Sequence, residues 1–167
     1  MKELMNKINI ILVSLVVFLF QLVFIDFLTI NNIRPDFLII YILYIALIYG
    51  RLVSIILAFI IGLISDLLGV SSYLGLTPLT LSITAYLSGF LYGKYERLLP
   101  YVFHSYWLAT LFLHFFILNY FLFQSLFISD KIDFFIIWFL SSSYTLIFIF
   151  ILQFFYPLKE ASRAKII

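Results

Sequence analysis

Runs of uncharged, apolar residues long enough to cross a lipid bilayer recur along this chain, broken only by short clusters of charge, proline, glycine and asparagine. A helix needs about 20 apolar residues to traverse a ~30 Å hydrocarbon core. In lipid it is also one of only two structures that satisfy every backbone polar group internally. Six such runs are read here, at about 8–28, 35–49, 52–68, 78–92, 100–127 and 134–156. The expected fold is all-α: a single membrane domain over residues 1–167, built as a compact bundle of six transmembrane helices. Composition excludes the alternatives. With 65% hydrophobic and 11% charged residues, against about 25% charged in soluble domains, and a mean hydropathy of +1.20, no soluble enzyme, nucleic-acid binder or disordered regulator is compatible. The absence of cysteine removes disulfides, thiolate metal sites and thiol nucleophiles.

Lys and Arg are retained on the cytoplasmic side during insertion, so their positions test the span count. With six spans and both termini cytoplasmic, Lys2, Lys7, Arg51, Lys94, Arg97, Lys159, Arg163 and Lys165 lie inside, and only Arg34 and Lys131 lie outside. Failure of the second run to cross would invert the later loops and leave three inside against seven outside. Eight to two therefore favours six crossings. Lys2 and Lys7 before an apolar run resemble a secretory signal, but the run continues through Phe27 without a small-x-small cleavage site. It is read as a retained first helix.

Pro35, Pro78 and Pro100 are placed at the first positions of helices, where a missing amide hydrogen costs nothing. Asp36 inside the second helix and Thr77 before Pro78 complement exposed amides. The triplet Arg34-Pro35-Asp36 is thus a cap or a direct contact for a partner. Helices in lipid associate through small residues and a few hydrogen bonds. Ser54, Ala58, Gly62 and Asp66 form one small-residue face, and Ser82, Ala85, Gly89 and Gly93 form another. These two faces are expected to meet each other, or to receive a partner protein.

Asp66 is the most informative ionisable residue, because an intramembrane carboxylate is costly. It pins the Ser71-Ser72 loop or another helix, contacts another protein, or takes part in ion chemistry. His104 and His114 lie ten residues apart on one helix, ~15 Å along its axis, too far to share a metal. Gln21, Asn119 and Ser141-Ser142-Ser143 are read as interhelical hydrogen-bond groups, and Tyr101, Trp107 and Tyr156 as interface anchors. No nucleotide-binding, metalloprotease or serine-hydrolase motif is present in the sequence. No catalytic residue, metal site or cofactor is therefore assigned.

Arg34-Pro35-Asp36-Phe37-Leu38, Tyr44-Ile45-Ala46-Leu47-Ile48-Tyr49-Gly50, Gly62-Leu63-Ile64-Ser65-Asp66-Leu67-Leu68-Gly69 and Leu74-Gly75 together resemble the bacterial rod shape-determining MreD family. Gly89 and the basic patch after it also fit. Arg51-Leu52-Val53-Ser54 departs from the pattern, where small residues and glycine are expected. The resemblance implies a non-catalytic scaffold of the cytoplasmic (inner) membrane. Such a scaffold binds an MreC-like bitopic protein and through it works with the MreB filament, the RodA glycosyltransferase and a class B penicillin-binding transpeptidase. It places Arg34, Pro35, Asp36, Asp66, Gly69 and Gly75 as candidates for partner contact, with basic inner loops near membrane lipid. It also implies a fold similar to the S-components of energy-coupling-factor transporters. That likeness opens an alternative, a vitamin-like small-molecule-binding subunit, to which the second to fourth helices lend some room, at ~22 to 26 Å long. Against it, no convergent polar cluster is visible in the sequence.

Overall fold

Side-chain caps and glycines, more than the ends of the apolar runs, set the helix boundaries. The computed structural model describes residues 2–30, 33–68 and 73–163. Among these residues the regular elements are all helices, with one isolated bridge between Ile30 and Ile33. The elements are α1 (Lys2–Leu28), α2 (Phe37–Tyr49), α3 (Arg51–Leu67), α4 (Leu76–Ser88) with a 3-10 turn at Gly89–Leu91, α5 (Pro100–Leu122), α6 (Gln124–Ser129), α7 (Lys131–Phe155) and α8 (Leu158–Arg163).

Several boundaries differ from the sequence expectation for local reasons. Asp36 is the N-cap of α2 rather than a residue inside it, its Oδ1 accepting from the amides of Leu38 and Ile39 at 2.8 and 3.2 Å. Pro35 therefore precedes the cap instead of opening the helix. Helix α4 starts at Leu76, with Gly75 as N-cap at φ 94°. Thr77 and Pro78 thus fall inside its first turn, where proline still displaces no intrahelical bond. Pro100 does open α5. The run 100–127 is broken at Phe123, and α6 turns toward α7. Asp130 then caps α7 through the amides of Ile132 and Asp133, so this helix begins at Lys131.

A helix that is apolar all round belongs in the interior, and α2 lies there. From Phe37 to Leu43 every residue is buried, as are Ile45, Ala46 and Leu47. It packs against α1, α3, α4, α7 and α8. Gly50 joins it to α3 with no intervening loop, at φ 79° and ψ −174°, a conformation open essentially to glycine alone.

Helices α3 and α4 are packed most closely, and glycine sets the distance at both ends. A Cβ on Gly62 would lie 2.5 Å from Pro78 Cα, and one on Gly89 would lie 2.9 Å from Arg51 Cα. The end of α3 thus meets the start of α4 and the reverse, so the pair is antiparallel. Ser54, Ala58, Gly62 and Asp66 are buried together with Ala85 and Gly89, while Ser82 is half-buried. Gly93 lies off this face. It sits in an exposed turn beyond the helix at φ 62°, and a Cβ added there would meet nothing within 4 Å, because α4 has already ended at Ser88.

Polarity is inverted relative to a water-soluble protein. Ser14, Gln21, Thr80, Thr84, His114 and Asn119 are buried, while large apolar side chains of α1, α3, α5 and α7 face outward. Helices α5 and α7 are long and apolar enough to cross a bilayer, and only 33% and 28% of their most apolar stretches are buried in the bundle. Apolar surface on this scale needs lipid or a partner.

Candidate functional site

The start of α2 is tied to both α1 and α7. The amide of Asp36 donates to Thr145 Oγ1 of α7 at 3.2 Å, and the amide of Phe37 donates to Gln21 Oε1 of α1 at 2.8 Å. Together with the Asp36 side chain, these groups satisfy the amides that a helix N-terminus leaves open. Asp36 Oδ2 faces Nε2 of His114 at 3.6 Å, and the other ring nitrogen of His114 lies 2.9 Å from Thr84 Oγ1. The Asp36 carboxylate thus lies beside the imidazole of α5, which is itself bonded to α4; Nε2 of that ring has no hydrogen-bond partner among the described residues.

Beside this node lies a cavity of about 380 Å³. It is bounded by the end of α1, the 34–36 segment, the end of α3, the start of α4, the end of α5 and the middle of α7. Arg34, Ser65, Thr77, Asn119 and Ser141 contribute polar groups, and Leu118, Leu122 and Phe123 form an apolar wall. Asn119 is 3% exposed and Ser65 1%, yet Asn119 Nδ2 and Ser65 Oγ have no hydrogen-bond partner. Gln21 has its oxygen committed to α2, and Arg34 makes no ion pair among the described residues. The polar convergence that sequence did not reveal is therefore present, because residues spread from Gln21 to Ser141 meet at one end of the bundle.

Asp66 does not line this cavity. Its Oδ2 accepts from the amide of Gly75 at 2.6 Å, so it fixes the entry to α4. Of the candidate residues, Arg34, Pro35 and Asp36 meet at the cavity, while Asp66 and Gly75 form a separate staple at the same end. Gly69, Ser71 and Ser72 lie outside the described residues. His104 accepts from Trp107 Nε1 at 3.0 Å, and Trp107 is buried, so this tryptophan is not an interface anchor. Ser142 bonds back to the carbonyl of Trp138 within α7. The pairing of Asp36 with His114 escaped the sequence, where 78 positions separate them with no shared motif.

The opposite end is basic and aromatic. The guanidinium of Arg51 lies 4.9 and 5.2 Å from the ring centroids of Tyr86 and Phe90, and Lys94 Nζ lies 3.2 Å from that of Phe90. Arg163 of α8 pairs with Glu96, and Ser162 Oγ donates to the carbonyl of Leu91 at 2.9 Å. On the flank, α1, α2 and α7 enclose an apolar groove of about 630 Å³, with Val13, Phe20, Tyr41, Tyr44 and Phe148 on its walls.

The family model for rod shape-determining protein MreD matches residues 1–159. No curated protein and no solved structure matches the chain.

Proposed function

The chain belongs to the MreD family of rod shape-determining proteins, and from that premise we propose that it is a non-catalytic scaffold holding an MreC-like bitopic partner in the inner membrane. Through that partner it helps couple MreB filaments to side-wall peptidoglycan synthesis by the RodA glycosyltransferase and a class B penicillin-binding transpeptidase. The observation that carries this function is the flank groove between α1, α2 and α7. Its apolar walls suit the single transmembrane helix of a bitopic protein, since close packing drives helix association in lipid. At the cavity end, the Asp36 cap and the Asp66–Gly75 staple form a fixed rim around Arg34 and Leu74, the latter 75% exposed. The outer part of the partner docks on this rim.

The topology that goes with this function is six crossings over 8–28, 35–49, 52–68, 78–92, 100–127 and 134–156, both termini cytoplasmic. It is supported by the grouping of Arg51, Lys94 and Arg163 at the end opposite Arg34. Arg34→Ala and Val13→Trp should each weaken co-purification with the MreC-like protein while membrane abundance stays normal. Undiminished recovery in both would remove the rim and the groove from the interface. The polar cavity favours a second function, that of a small-molecule-binding subunit similar in fold to the S-components of energy-coupling-factor transporters. Its mark would be a stoichiometric small molecule retained through purification and seen by native mass spectrometry.

A further inference from the structure

We propose that the cavity beside Asp36 is a binding site for a phosphate group, presented by a membrane-lipid headgroup or by a soluble phosphate compound. Burying an amide or hydroxyl without a partner is costly, so the Asn119 Nδ2 and Ser65 Oγ groups held unpaired in this wall call for a ligand that accepts from them. Arg34 adds a guanidinium, whose planar fork suits phosphate. Gln21 adds an Nε2 amide with no protein partner among the described residues, since only its oxygen is engaged.

Asp36 is the acidic side chain on the lining, and its Oδ1 is taken up by the two backbone amides that it caps, with Oδ2 3.6 Å from the His114 ring. The donors come from the 34–36 segment, α1, α3 and α5, so they approach from several directions. A tetrahedral phosphate offers oxygens in such directions, whereas a carboxylate offers two in one plane. The apolar wall of Leu118, Leu122 and Phe123 leaves room for the first carbons attached to a headgroup. The volume, about 380 Å³, is that of a small-molecule pocket and not of a whole lipid.

The full chain, purified in detergent and stripped of lipid, would be titrated with dihexanoylphosphatidylglycerol, with phosphate-free dihexanoylglycerol and with inorganic phosphate. Saturable one-to-one binding of the phospholipid is expected, with none of dihexanoylglycerol. Arg34→Gln should weaken it by about 10- to 100-fold and Asn119→Leu by about 10-fold, the range of charged and neutral buried hydrogen bonds. Inorganic phosphate bound with the same sensitivity to both variants would identify a soluble source for the same chemistry. Equal binding of the phosphate-free compound, no saturable binding of either phosphate probe, or wild-type affinity in both variants would overturn the assignment. Should Arg34→Gln not fold, Arg34→Lys, which keeps the charge but loses the fork, is expected to weaken binding without abolishing it, and Asn119→Leu then carries the comparison. No partner is present in this experiment. Asn119 is enclosed within the bundle, so Asn119→Leu should leave recovery of the MreC-like protein unchanged, and failure of one proposal is separable from failure of the other.

Discussion

Gly62→Ala tests the packing that holds the bundle together. The added methyl carbon would lie 2.5 Å from Pro78 Cα and 2.6 Å from Pro78 N, about 0.9 Å inside the 3.4 Å at which ordinary contact begins. Both obstructing atoms are backbone, so no rotamer change relieves them, and α4 must move away from α3. Overpacking of this kind costs typically 1–3 kcal/mol, and the rigid obstruction places Gly62→Ala near ~3 kcal/mol. For a chain of this size that corresponds to an apparent melting midpoint lower by roughly 6–12 °C, readable by size-exclusion or fluorescence thermal assays in detergent. Pro78→Ala should not rescue it, because alanine retains the same Cα and N atoms. Gly93→Ala is the control: there the cost is only that of a left-handed backbone, ~1–2 kcal/mol. A Gly62→Ala protein that melts with wild type, or one restored by Pro78→Ala, would refute close backbone approach as the basis of the α3/α4 pair.

Three further outcomes follow from named contacts. Asp66→Ala removes the acceptor for the Gly75 amide, and hydrogen exchange at Gly75 should accelerate; unchanged protection would show that the staple does not form. Ser162→Ala frees the carbonyl of Leu91 from its bond to α8 and should cost ~1 kcal/mol, with increased proteolysis of the C-terminal segment as its signature. Single cysteines at Leu74 and at Arg97, introduced into this cysteine-free chain, should react with an impermeant maleimide from outside and only after permeabilisation, respectively. Labelling of both from the same side would break the six-span topology.

How much could be read in advance depended on whether a feature was local. The capping role of Asp36 and the turn at Gly50 are visible in residue type and position, because a carboxylate before an apolar run and a lone glycine between two runs each have few uses. The approach of Gly62 and Gly89 to neighbouring backbone was signalled by small residues at helical spacing. Gly93 carried the same signal without the contact, since spacing says nothing about where a helix stops. The central place of α2 was hidden for a different reason. In water an all-apolar helix must be buried, but in lipid every span is apolar, so Phe37–Tyr49 looks like its neighbours until contacts are known. The cavity was least legible of all. Gln21, Ser65, Asn119 and Ser141 are single polar residues on four different helices, and only the tertiary fold makes them one site.

The contact between Asp36 and His114 leads to a last prediction, which turns on counting hydrogens. Thr84 has one hydroxyl hydrogen, and its oxygen lies 2.8 Å from the carbonyl of Thr80, an acceptor only. With that hydrogen on the Thr80 carbonyl, the bond between Thr84 Oγ1 and His114 uses a hydrogen on Nδ1. In that tautomer Nε2 presents its lone pair toward Asp36 Oδ2, 3.6 Å away and beyond hydrogen-bond distance, so no donor hydrogen joins the two side chains. Asp36→Asn supplies such a hydrogen permanently: its oxygen still caps α2, and its amide nitrogen can donate to Nε2. Asp36→Ala loses both functions. Loss of an N-cap alone costs about 0.5–2 kcal/mol, and the isolated buried imidazole adds a further ~1–3 kcal/mol. Thermal melts should therefore rank wild type close to Asp36→Asn and both well above Asp36→Ala. In an Asp36→Ala background, His114→Phe should recover part of the loss by removing the stranded ring nitrogens. If Asp36→Asn proves as damaging as Asp36→Ala, the carboxylate's negative charge, and not its capping oxygen, is what this corner of the bundle requires.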